Sequence, residues 1–337
     1  NTTGSSNQAF GWGSLGGNST GSQNTAVGLR ALKSNTTASS NVAVGYYALD
    51  ANTTGAQSVA IGTEALLNNT TASNNVAVGH QVLKANTTGT ANIGMGRRAL
   101  DANISGDQNV GIGQSSLGAN TTADNNTAVG YEALGTNTTG TQNVAVGSFS
   151  LRDNTTANDN TALGHAALLN NETGDQNTAV GKGALGNNTT ADNNTAVGMN
   201  TLETNTTGSQ NTAVGSLSLD ANTTGSNNTS IGYNVLGANT TGTQNTCVGD
   251  NSTRTNTTGS NNTAIGQASL LSNTTGNNNT AVGDDALLSN TTGALNTAIG
   301  ANAGKVITTG SQNSIFGEAT GLDVTTGSNN VLLGAEA

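Results

Sequence analysis

A chain of 337 residues with no proline, 47 glycines, 2% aromatic and 8% charged residues lacks the material for the usual apolar core of a globular domain of that size. Its net charge of −10 and nine scattered Lys and Arg residues exclude nucleic acid as a partner, because phosphate recognition needs clustered cations. No run of about 18 apolar residues exists that could insert in a membrane as a helix.

The chain has instead a strict period. Asn24-Thr25-Ala26-Val27-Gly28 returns, slightly varied, every 17 residues, and its glycine keeps phase from Gly11 to Gly334 without insertion or deletion. A unit this short cannot bury its own apolar face and must stack on copies of itself. The fold class read from this is all-β, a parallel β-solenoid of about twenty 17-residue rungs. Function must then be read from columns of equivalent residues.

Taken in order, residues 1–17 form a partial rung or cap, with Phe10 in the Val27 column and the only tryptophan, Trp12, just after the glycine. Residues 18–300 are the regular repeat. Alternation over Thr25-Ala26-Val27 predicts a strand with Thr25 and Val27 on one face and Ala26 on the other. The large apolar columns are expected to form the core: Val27, Val44 and Ile61 in one, Leu32, Leu49 and Leu66 in the other. The Ala26 column accepts only small residues, Cys247 among them, so its face is expected to meet another layer or another chain. On a three-fold axis, three copies of Cys247 would meet at one height.

Asn24 and Asn41 mark one asparagine column, and Asn35 and Asn52 a second. In parallel rungs about 4.8 Å apart such amides hydrogen-bond to their copies as ladders. Asn35-Thr36-Thr37 also spells an N-glycosylation acceptor, repeated at Asn52 and Asn69. Glycans about 4.8 Å apart would collide, so the motif is read as a turn. In residues 301–337 leucine becomes Gly304 and Gly321, and asparagine becomes Ile307 and Val324, which predicts a cap or transition with a changed cross-section.

Variation is confined to the two positions after each glycine. They hold Trp12, Tyr46, Tyr47, Arg97, Arg98, Tyr131, Phe149 and Tyr233, a candidate surface-contact ridge on which aromatics could stack against sugars or a partner. His80 and His165 share a column five rungs apart, roughly 24 Å, too far for one metal ion. A translationally repeated chain offers rows of like residues where catalysis needs convergent unlike ones. No catalytic residue, metal ligand or cofactor is expected.

Asn-Thr-Ala-Val-Gly and its variant Ser58-Val59-Ala60-Ile61-Gly62 resemble the Asn-Ser-Val-Ala-Ile-Gly motif of trimeric autotransporter adhesin heads. The Thr-Thr-Gly-Ser-Gln-Asn connectors, as at Thr308 to Asn313, are similar to repeats of phage tail-fibre-like and bacterial surface fibre proteins. The resemblance covers the whole chain, although its rung is longer than that of the usual adhesin head. It implies a left-handed parallel β-roll assembled as a parallel homotrimer. From it follow the expected function, a non-enzymatic extracellular or virion-surface fibre with an adhesive role, and the expected partners, further copies of the chain and a cell-surface or matrix glycan. Two alternatives are an ice-binding Thr-rich solenoid and a glycan-processing fibre; the second needs a paired-carboxylate cleft that the sequence does not offer.

Overall fold

The computed structural model describes residues 2–335 and divides the chain into two compact units, 1–173 and 174–337. The division coincides with neither compositional change, at residue 17 or at residue 300. Among the described residues there is no helix. Each unit is a parallel β-solenoid of three-residue strands. The first runs from Gln8–Phe10 to Thr161–Leu163, the second from Thr178–Val180 to Val331–Leu333.

Within each unit every strand pairs in register with its equivalent one repeat on. Thr25, Ala26 and Val27 lie against Val42, Ala43 and Val44, and Thr178, Ala179 and Val180 against Thr195, Ala196 and Val197. A three-residue strand has little stability alone, and the ladder extends well beyond it. The turn residues bond rung to rung as well, Leu32 N–H to the Ala48 carbonyl at 2.9 Å and Thr36 N–H to that of Thr53 at 3.0 Å. Most of the 17 residues therefore share in the stacking that the strand begins.

The corners explain the glycine metronome. Gly28 has φ of 129°, and a Cβ there would sit 2.5 Å from the Gly45 carbonyl oxygen, so only glycine stacks on glycine. Three other residues per rung, Gln23, Arg30 and Leu32, take the left-handed conformation with φ of 60°, 59° and 52°. For a leucine this costs about 1–2 kcal/mol. Complete burial of the Leu32 side chain and its rung-to-rung backbone bond hold it in place.

What is inside differs from the sequence expectation. Across residues 18–300, Ala26, Ala31 and Leu32 and their equivalents are buried, as are both asparagine columns. Val27 and Ile61 are about 38% and 40% exposed and Val44 is half-buried, so this column, expected in the core, faces outward. The reason is width. A coil already filled by leucine from the turn has room only for a methyl group from the strand, so alanine turns in and valine turns out. Leu49 and Leu66 are fully buried. The Ala26 face is therefore closed within one chain and is not free to meet another. Cys247 lies in that interior, its thiol donating to the Thr253 hydroxyl at 3.2 Å.

The two asparagine columns form different ladders. Asn35 Nδ2 donates both to Asn18 Oδ1 at 2.8 Å and to the Ala38 carbonyl at 3.0 Å. Asn24 Oδ1 instead accepts the backbone N–H of Asn41 at 3.0 Å, while Asn41 Nδ2 donates to the Gly55 carbonyl at 2.9 Å. A third ladder, not anticipated, runs through the Ser22 column. There Ser39 Oγ accepts the Ser22 N–H at 3.0 Å and Asp124 Oδ1 accepts the Asp107 N–H at 2.7 Å.

Toward the C-terminus the register persists, Ala298 pairing with Ile315 and Ile315 with Leu332. The cross-section is refilled from the opposite side. A Cβ on Gly304 would lie 2.8 Å from Ile315 Cδ1, so the volume that leucine gives up in one column is taken by isoleucine in the other, and Ile307 replaces a ladder asparagine at full burial.

Candidate functional site: the ridge after the repeated glycine

The wide φ of the Gly28 column turns the chain out of the sheet, so the next two columns project from the coil. On this ridge the unit 1–173 groups most of the residues picked from sequence. Tyr46 and Tyr47 are neighbours with ring centroids 4.3 Å apart, and the Arg30 guanidinium lies 4.6 Å over the Tyr47 ring. Tyr131, Phe149 and His165 stand edge-to-face on successive rungs, at 5.2 and 6.0 Å. Arg98 is exposed and bonded to Asp101 at 2.9 Å, and Arg97 is exposed beside it. Trp12, at 73% exposure, and Tyr233 join neither aromatic cluster.

Charged partners from the next columns were missed by sequence reasoning. Arg30 makes a two-point contact with Asp50, Nε to Oδ1 at 3.0 Å and Nη2 to Oδ2 at 2.8 Å. Lys84 meets Glu64 at 2.7 Å, and Arg152 grips Asp153 through two bonds of 2.8 Å. A signal existed. Arg30 and Asp50, Glu64 and Lys84, and Asp285 and Lys305 are each one rung plus three residues apart, which places opposite charges side by side.

The electrostatics follow from these contacts. The hydrogen bonds from Lys84 and Gln81 hold the Glu64 carboxyl below its ordinary range, and Asp50 and Asp153 raise the guanidinium values of Arg30 and Arg152. Hydrogen bonding to Tyr47 raises the Tyr46 phenol, and bonding to Glu132 raises that of Tyr131. Inside the coil, burial pushes the Cys247 thiol up to about 12, where it is not a nucleophile at neutral pH. Among the described residues no group of three or more His, Cys, Asp and Glu is placed to hold a metal ion.

The acceptor asparagines Asn35, Asn52 and Asn69 are fully buried, and each amide nitrogen gives its two protons to the ladder asparagine of the preceding rung and to a turn carbonyl. Of the paired threonines, Thr36 donates its hydroxyl to the Thr53 carbonyl at 3.0 Å, while Thr37 is exposed.

Fold and ladders together define the chain as a parallel β-solenoid repeat protein. It matches no protein-family model and no curated protein.

Proposed function

We propose that the chain is a non-enzymatic segment of an extracellular or virion-surface fibre, a left-handed β-roll that associates with parallel copies of itself, as a trimer, and presents its ridge as an adhesive contact surface. The observation that carries this reading is the separation of roles among columns: the interior columns and ladders repeat with few exceptions, while all four tyrosines and the tryptophan lie on the ridge and the charged side chains vary on it and on other outward columns. Support for self-association comes from the outward Val27 column. It presents an apolar side chain on every rung, flanked by Val42, Val59, Val76, Ile93 and Val110 in the neighbouring outward column of the first unit. Contiguous apolar surface of this kind is usually covered. In-register parallel copies would bring like columns together.

Mass in solution tests the association. Light scattering is expected to give three times the single-chain 33.1 kDa, and replacing Val42, Val59 and Val76 by Thr is expected to lower it. A mass of 33.1 kDa at all concentrations would remove the self-association reading.

Ice binding stays a second reading because of one specific feature. Thr178, Thr195, Thr212, Thr229, Thr246, Thr263, Thr280 and Thr297 form an outward column of hydroxyls beside the valine column. Thermal hysteresis of the soluble protein decides it; none is expected under the fibre reading.

A further inference from the structure

In the first unit the Lys33 column carries charged side chains such as Asp50, Lys84, Asp101 and Arg152, but two successive rungs place Gly118 and Gly135 there. The ridge flank drops into an open notch of about 410 Å³ lined by Ser115, Glu132, Gly135, Thr136 and Arg152. That volume lies within the range of about 300–1,000 Å³ usual for small-molecule sites.

The walls are chemically unlike. Glu132 brings a half-buried carboxylate, an acceptor of up to four hydrogen bonds. Arg152 brings a guanidinium held by Asp153 through Nε and Nη2 and lying 5.7 Å from the Phe149 ring centre, so its plane is fixed. The Thr136 hydroxyl proton is committed to the Arg152 carbonyl at 2.7 Å, with the Asn154 carbonyl at 3.2 Å, which leaves its oxygen as an acceptor only. Tyr131 is not part of the lining; it neighbours Glu132 in sequence, hydrogen-bonds to it, meets Phe149 edge-on and is exposed at the ridge, an aromatic ring beside the notch.

This combination selects a ligand class. An anion would meet Glu132, Asp153 and a chain of net charge −10, and a cation on Glu132 would leave the remaining guanidinium N–H donors of Arg152 without an acceptor. A neutral polyol satisfies both walls, giving hydroxyl protons to the carboxylate and accepting from the guanidinium. A pyranose adds an apolar C–H face for the aromatic ring. We propose that the notch between Glu132 and Arg152 is a subsite for one sugar unit of a neutral glycan, a proposal that rests on reading the ridge as an adhesive surface.

The test uses the full chain on an array of neutral oligosaccharides with sialylated ones as controls. Gly135→Leu fills the notch with the residue that the same column holds at Leu67 and Leu169, so the coil accommodates it; Gly135 does not occupy the left-handed region. Glu132→Gln keeps the shape and removes the charge, which guards against a folding defect in the first variant. Neutral-glycan binding that is weakened about tenfold or more by both substitutions is the expected result. Equal binding by both variants overturns the notch and leaves the adhesive ridge standing. Binding of acidic glycans alone, or of none, overturns the ligand class. Adhesion of the full chain to cells, measured in parallel, then decides the ridge reading separately.

Discussion

On the outer strand face the unit 1–173 carries Val42, Val59, Val76, Ile93 and Val110 where the unit 174–337 carries Thr178, Thr195, Thr212, Thr229 and Thr246. The first unit holds the ion pairs of Arg30, Lys84, Arg98 and Arg152 and both aromatic clusters; among the described residues of the second, Lys305 with Asp285 is the ion pair found. Inside, both units accept hydroxyls, Ser116 and Ser150 of the first bonding to the Gly113 and Gly147 carbonyls at 3.0 and 2.8 Å, but the second carries more of them. The second unit buries Ser218 against Ser230 at 2.6 Å, Ser252 against Ser269 at 2.9 Å, and Thr253 in the leucine column. One backbone therefore tolerates apolar chemistry outside and hydroxyls inside. The rungs are held by ladders common to both units, so surface composition is free to specialise, and interior hydroxyls are accepted where they are bonded to one another or to a corner glycine carbonyl, as Thr201 is to Gly215.

The strongest way to break this comparison is to attack what the units share. Asn137→Ala in the first unit and Asn239→Ala in the second each remove the donor to the preceding ladder Oδ1, at 3.1 and 2.9 Å, and the acceptor of the following ladder Nδ2, at 2.8 Å in both, while the turn carbonyls of Gly140 and Gly242 keep a second donor in Asn126 and Asn228. Denaturant unfolding is expected to register a loss of about 2–6 kcal/mol in both, taking about 1–3 kcal/mol for each of the two buried groups left without a partner. Leu134→Ala is expected to cost about 2–5 kcal/mol by the same assay, through lost burial and a cavity.

A smaller effect sharpens the interior contrast. Thr253→Leu alone pushes a larger side chain against the Cys247 thiol and is expected to destabilise by about 1–3 kcal/mol. Combined with Cys247→Ala it restores the ordinary rung, and a stability at or above wild type is expected. The smallest effect concerns Asp220. Desolvation raises its carboxyl, and one of its oxygens is buried without a hydrogen-bond partner. A folded value above the unfolded one means stability is lost as pH rises from the ordinary carboxylate value through the raised one. Asp220→Asn is expected to recover a few tenths of a kcal/mol at pH 7 and nothing at pH 3, read by thermal melts at the two pH values; about half-exposed, the group is partly screened.

Period, strand position and the asparagine ladders were legible because each is a local signal repeated in phase. Which face of the strand turns inward was not. Alternation across Thr25-Ala26-Val27 marks two faces without saying which is buried, and hydropathy favoured valine. The answer depends on the width of the coil, set by Leu32 arriving from the turn. The charged half of the ridge escaped for a related reason: Arg30 and Asp50 become neighbours only when one rung plus three residues is recognised as a spatial step. The alanine column, Cys247 included, was assigned to a possible chain interface because its tight packing was visible and its partner, the leucine of the same coil, was not.

Reactivity of a pair of single cysteines, placed by Ala60→Cys and Ile61→Cys in a Cys247→Ala background, tests the inside-out assignment most directly. The account predicts that the thiol at position 60, whose parent is fully buried, stays silent to alkylation and to oxidation until the chain unfolds. The thiol at position 61, whose parent is 40% exposed, is expected to alkylate rapidly in the single chain or to form an interchain disulfide in an assembly. Rapid labelling at 60 with silence at 61 would contradict it.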